Sequence, residues 1–209
     1  METTILDQII LLLTGLTAVY LIYRFIQANK ASTETTKYYY HYIVSMAVLF
    51  VSGVLVILFD FTILARPEIK IVATLIPFAL ASGLMCQFHQ KYAKFYVIFL
   101  MIGFILIILM NYGMIHTKII YPIFHSIAGL TIFFIPIIAV NNKTAPKGFL
   151  WVTLGGALIG IGGMALAFLG AGKPLLGIFT ADVVFTILSP ILLLMVLAYT
   201  YGFMKYMHK

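Results

Sequence analysis

Seven long apolar runs alternate with short polar breaks along this chain. A helix needs roughly 20 apolar residues to cross the hydrocarbon core of a bilayer, and the runs are of that order. The pattern therefore predicts seven spans, from about Ile5 to Ile26, Tyr38 to Leu64, Ile69 to Phe88, Phe95 to Tyr112, Lys118 to Val140, Gly148 to Leu169 and Leu175 to Met204. The breaks carry turn and loop residues: QANKASTETTK from Gln27 to Lys37, Arg66-Pro67-Glu68, NNKTAPK from Asn141 to Lys147, and GAGKP from Gly170 to Pro174. Residues 1–209 thus read as one all-α, polytopic seven-helix domain of a bilayer, with no separate soluble part.

Composition agrees. The 209 residues are 63% hydrophobic and 9% charged, with a mean hydropathy of +1.11. A soluble domain carries about 25% charged residues, and a chain this short has no water-soluble core large enough to hide so much apolar surface. The single cysteine, Cys86, excludes an internal disulfide. Glu2 and Asp7 stand where a signal peptide would carry basic residues, so no cleavable leader is expected.

The net charge of +7 does not indicate nucleic-acid binding, because the basic residues sit between spans and set orientation instead. Arg24, Lys30, Lys37, Lys91, Lys94, Lys143, Lys147, Lys205 and Lys209 fall on one side, and Arg66, Lys70, Lys118 and Lys173 on the other. The acids divide the opposite way: Glu34 joins the basic side, while Glu2, Asp7, Asp60, Glu68 and Asp182 do not. The positive-inside rule then predicts an outer N-terminus and a cytoplasmic C-terminus in the cell membrane. The run Tyr38-Tyr39-Tyr40-His41-Tyr42 suits an interfacial aromatic belt.

Ionisable and amide groups inside a span mark functional positions by default. His125, Asp182, Asp60 and Asn111 fall at similar depth near the outer ends of four helices, with Asp7 on a fifth, and predict a polar bowl. A histidine among carboxylates there suits a transition metal, a proton relay or a hydrogen-bonded ligand. On the last helix Thr186, Ser189 and Thr200 continue from Asp182 at helical spacing, a stripe that suits a water or proton path or ordinary helix–helix hydrogen bonds. Near the cytoplasmic side His41 opens the second helix and His89 closes the third, the arrangement of two histidines that a b-type haem takes as axial ligands.

The segment His89-Gln90-Lys91-Tyr92-Ala93-Lys94-Phe95-Tyr96-Val97 resembles the loop-to-helix junctions of multi-helix b-type cytochromes and haem-handling membrane proteins. Phe124-His125, followed by Ala128 and Gly129, is similar to their His-bearing helices. The resemblance implies haem b and a respiratory-type complex. Such families carry four helical histidines; here His41, His89 and His125 match, with His116 the remaining candidate.

In the sixth helix Gly156 and Gly160 form a GxxxG pair that Gly163 and Ala167 extend, a packing stripe within the bundle or toward a homodimer or membrane partner. The last helix lacks the interior lysine that would attach retinal, and no GxSxG, HExxH or phosphate-loop motif occurs. Three functions follow as expectations: a haem- or metal-binding redox protein; a proton-coupled transporter, channel or seven-helix sensor; and a non-catalytic subunit or assembly factor docking through the sixth helix.

Overall fold

The computed structural model describes residues 2–31, 36–117, 119–170 and 174–208, without the side chains of Ala167 and Gly170. Glu34, Lys118, Lys173 and Lys209, which enter the charge asymmetry, lie outside the described residues. Among the described residues seven helices form, each long and apolar enough to cross a membrane: α1 (Ile5–Ala31), α2 (Tyr38–Phe59), α3 (Pro67–Phe88), α4 (Gln90–Asn111), α5 (Ile120–Asn141), α6 (Leu150–Gly170) and α7 (Ala181–Met207). Among the described residues there is no β-strand; Leu175 and Phe179 make one isolated bridge.

Helix ends differ from the hydrophobic pattern where local backbone chemistry intervenes. α2 stops at Phe59, because Asp60 takes a left-handed φ of 61° and turns the chain into a short 3₁₀ helix, Phe61–Ala65. Pro67 opens α3, where its missing N–H would have no helical partner. α4 begins at Gln90, so the polar Gln90-Lys91-Tyr92-Ala93-Lys94 is its first turn and not a loop. α7 begins only at Ala181, because Leu176 (φ 54°) and Gly177 (φ 69°) shape a turn and the Thr180 hydroxyl caps the helix at Val183 N.

Six helices close a ring in the order α1, α2, α3, α5, α6, α7 and back to α1, with α4 outside against α3 and α5. The Tyr96 hydroxyl donates to Thr131 Oγ1 (2.7 Å) and ties α4 to α5. α3 is the most enclosed helix: Ile76 to Leu84 are buried without interruption. Its small residues admit the neighbours. Gly83 lies flat against the ring of Tyr42, whose atoms occupy the place of a Cβ. The Ser45 hydroxyl donates to the Ile76 carbonyl (2.7 Å), joining α2 to α3 beside Pro77.

The two ends of the bundle are built differently. At the end that carries the C-terminus, aromatic rings fill the centre. Tyr42 of α2 packs on Phe203 of α7 (4.7 Å between centroids) and Phe25 of α1 (5.2 Å), and Phe149 reaches Phe203 from the 3₁₀ turn just before α6 (5.6 Å). The Tyr42 hydroxyl donates to Gln87 Oε1 at 2.5 Å, so the buried phenol is satisfied. At the end that carries the N-terminus, Phe61, Ile63, Leu11, Val56 and Leu188 form a smaller cluster along one side. Thr3 closes this end by donating to Asp60 Oδ1 from its backbone N–H (2.8 Å) and hydroxyl (2.7 Å). Outward-facing leucines and valines such as Leu12, Leu16 and Val19 form the surface that lipid covers.

Gly83→Ala should lower stability by about 1–3 kcal/mol, the usual cost of overpacking, whereas Gly129→Ala, whose added Cβ meets nothing within 4 Å, should not; thermal unfolding in detergent compares the two. The Thr3 backbone N–H, then its hydroxyl, hold the Asp60 carboxyl below the ordinary carboxylate value of 3.8. A depressed pKa means stability that is fully present above pH 3.8 and lost as pH falls through the lower, folded value. The melting temperature of wild type should therefore drop more steeply than that of Asp60→Asn as pH is lowered past that point.

Candidate functional site

Beside the smaller cluster, whose Leu11, Val56, Phe61 and Leu188 form part of its wall, lies a cavity of about 790 Å³ lined by residues from all seven helices. It starts at the N-terminal end of the bundle. Its lining reaches Leu49 of α2, Pro77 of α3, Ile159 of α6 and Leu192 of α7, ten or eleven residues from that end, about 15 Å at ~1.5 Å per residue. The wall is mostly apolar, with Leu11, Val56, Leu166, Phe185, Leu188 and Leu192 on the α1, α2, α6 and α7 side. Phe61 from the 3₁₀ helix stacks near Phe185 (5.5 Å) and closes that side.

The polar lining is gathered mainly on the opposite side. Lys70 comes from α3, Asn111 from α4, and Tyr121 and His125 from α5. Each has a local reason for its place. Pro122 sits in the first turn of α5, where a proline is tolerated, and leaves Tyr121 and His125 one turn apart on one face. Their rings stack with centroids 5.3 Å apart and 22° between planes. His125 Nε2 rests on Gly163 of α6, 2.5 Å from where a Cβ would stand. His125 Nδ1 is buried and has no hydrogen-bond partner among the described residues. Asn111 ends α4 and donates to the Ile107 carbonyl (2.8 Å). Pro77 removes the N–H that would pair with the Ala73 carbonyl, and both residues line the cavity.

Of the expected polar bowl, the structure brings His125 and Asn111 together in this cavity and leaves the acids out. Asp60 is held by Thr3 outside the lining. Asp182 stands exposed in the first turn of α7, because that helix starts later than its hydrophobicity suggests. Asp7 caps α1: its Oδ2 accepts from the Thr4 hydroxyl (2.6 Å), and Thr4 Oγ1 accepts from Asp7 N (3.1 Å). His125 therefore meets α6. No group of three His, Cys, Asp or Glu side chains placed to hold a metal ion occurs among the described residues.

The other expected sites are placed as follows. Thr186 is exposed and donates to the Asp182 carbonyl (2.7 Å), Ser189 is fully buried near Asp7, and half-buried Thr200 donates to the Val196 carbonyl (2.8 Å). The stripe on α7 thus turns its threonine hydroxyls back on its own backbone. His41 and His89 are both half-buried. The hydrogen bond near them is the one from Tyr42 to Gln87, not a link between the two imidazoles. In α6, Gly156 packs on Ile132 and Gly163 on His125, both of α5, while a Cβ on Gly160 meets nothing within 4 Å. The small-residue stripe is in large part an internal seam.

Lys70 and Tyr121 were not singled out by sequence reasoning. The available signal was a lone lysine just inside an apolar run, with Ala73 and Pro77 following at helical spacing.

Gly163→Ala should destabilise by driving a methyl into the His125 ring, and Gly160→Ala should not. In a His125→Ala background the Gly163→Ala penalty should largely vanish, a coupling of about 0.5–3 kcal/mol for groups in direct contact, read from a double-mutant cycle of unfolding free energies. No protein-family model, curated protein or solved structure matches this chain.

Proposed function

We propose that this chain is a multi-pass sensor of the cell membrane that binds a small, largely apolar molecule in the N-terminal half of its bundle. The cavity carries this reading: about 790 Å³, open at one end and lined by residues of all seven helices. Ligand sites commonly fall between about 300 and 1,000 Å³, with an apolar lining and a few convergent polar groups that fix orientation. His125 is such a group. A buried ring nitrogen without a partner costs about 1–3 kcal/mol, and a bound hydroxyl or carbonyl relieves that penalty.

The packed rings of Tyr42, Phe25 and Phe203 occupy the other half of the bundle, which favours a one-ended binding site over a through-going proton or ion path. Docking of a partner through α6 is weakened because α5 already occupies Gly156 and Gly163. The charge asymmetry supports an outer N-terminus, so the cavity samples the outer leaflet or the medium beyond it, and the C-terminal end delivers the response.

The test uses a neutral alkyl alcohol bearing a photoactivatable diazirine, with purified protein in nanodiscs. Saturable crosslinks should map to cavity residues such as Phe185 and Leu188 and be competed by unlabelled dodecanol. Gly162 borders the cavity, and a Cβ there meets only Ile191 Cγ2 at 3.9 Å. Gly162→Leu should therefore fill the cavity and abolish the saturable labelling without lowering the melting temperature. Labelling confined to outward-facing residues, and equal in Gly162→Leu, would refute the reading.

A further inference from the structure

The polar groups of the cavity have a sign as well as a position. Lys70 is the one charged side chain among its described lining residues; no carboxylate lines it. Lys70 closes the first turn of α3, about one turn inside the span. A lysine at that depth ordinarily extends its ammonium to the interface along apolar surface. Here Lys70 is exposed at the end of the span and also lines the cavity, which puts its charge at the mouth. Glu68 is two residues away on α3 and Asp60 is bound by Thr3, so the acids flanking this end do not enter the lining. Tyr121, Asn111 and His125 flank Lys70 from α4 and α5 and add polar atoms at the same end. The opposite wall, and the ~15 Å of depth beneath it, is dominated by aliphatic and aromatic residues of α1, α2, α6 and α7.

From this division we infer that the occupant is an anionic amphiphile: an acidic headgroup held by Lys70 with hydrogen bonds from the α4–α5 side, and an alkyl tail lying down the apolar wall. The inference rests on the cavity being a binding site. It names the chemical class that the site takes. A headgroup of this kind comes from two sources, a free single-chain carboxylate or an anionic lipid of the bilayer, and both present the same charge to Lys70.

Three diazirine probes with one alkyl chain and different heads, a carboxylate, an alcohol and an amine, decide the matter in nanodiscs of neutral lipid. The carboxylate should label the cavity at the lowest concentration, at least roughly tenfold below the alcohol, as a charge-assisted hydrogen bond provides, and the amine should be weakest. Lys70→Gln should bring the carboxylate down to the level of the alcohol and leave labelling by the alcohol unchanged, while Lys70→Arg should retain the carboxylate preference. Competition by laurate assigns a free single-chain ligand. Competition by phosphatidylglycerol added to the nanodisc assigns a bilayer lipid. Either, when lost in Lys70→Gln, supports the inference. Equal saturable labelling by carboxylate and alcohol in wild type, or a carboxylate preference that survives in Lys70→Gln, overturns the headgroup assignment and leaves the cavity as a site for neutral molecules. Absence of saturable labelling by every probe overturns the binding site itself.

Discussion

The seat of Tyr42 on Gly83 is the contact on which the rest of the bundle depends. A full aromatic ring enters the space that any other residue on α3 would occupy with its own side chain. The phenol is then satisfied by Gln87 and walled in by Phe25 and Phe203. Helices in lipid gain little from hydrophobic exclusion, so close packing and buried hydrogen bonds must hold them. Here one residue supplies both and gathers α1, α2, α3 and α7 at one end. With that end closed by rings, the other end has no comparable aromatic core, and the cavity occupies the difference.

That asymmetry also orders the chemistry. Pro77 sits where α3 passes from the packed half to the open half, and Ser45 bonds the carbonyl beside it. On one side of the open half, α3, α4 and α5 end in residues with polar tips; on the other, α1, α2, α6 and α7 present mostly aliphatic walls. Small residues serve both halves. Gly163 admits the His125 ring against α6, and Gly162 beside it leaves the cavity its width. Adjacent glycines on one helix therefore do opposite things, one making a contact and the other making room.

The acids illustrate how depth along a helix misleads when the helix end itself is misplaced. Hydrophobicity alone places Asp182 inside a span, because Leu175 to Phe179 are apolar enough to continue one. Left-handed backbone at Leu176 and Gly177 ends that continuation, and Asp182 becomes a first-turn residue favoured by the helix dipole. Asp60 fell in an apolar run for the same reason and proves to be the turn itself. Asp7 is a cap. His125 and Asn111 kept their standing because α4 and α5 end close to where hydrophobicity places them. Lys70 is not legible as a site residue in the sequence, because a lysine near a span end is ordinarily only an interfacial anchor, and nothing in its neighbours along the chain distinguishes one that borders a cavity.

The sequence by itself determined the class of object: seven spans, their approximate limits and the polar breaks between them. Each follows from the transfer of side chains and backbone between water and hydrocarbon, which is a property of local composition. Tertiary structure alone decided which helix is central, that α4 stands outside the ring, that His125 meets Gly163 and not Asp182, and that Lys70, Asn111, Tyr121 and His125 share one cavity. The physical reason is that every span is apolar around most of its circumference. Lipid and protein are then almost equally good neighbours for its faces, and only the fit of particular shapes, such as a ring against a glycine, chooses between them.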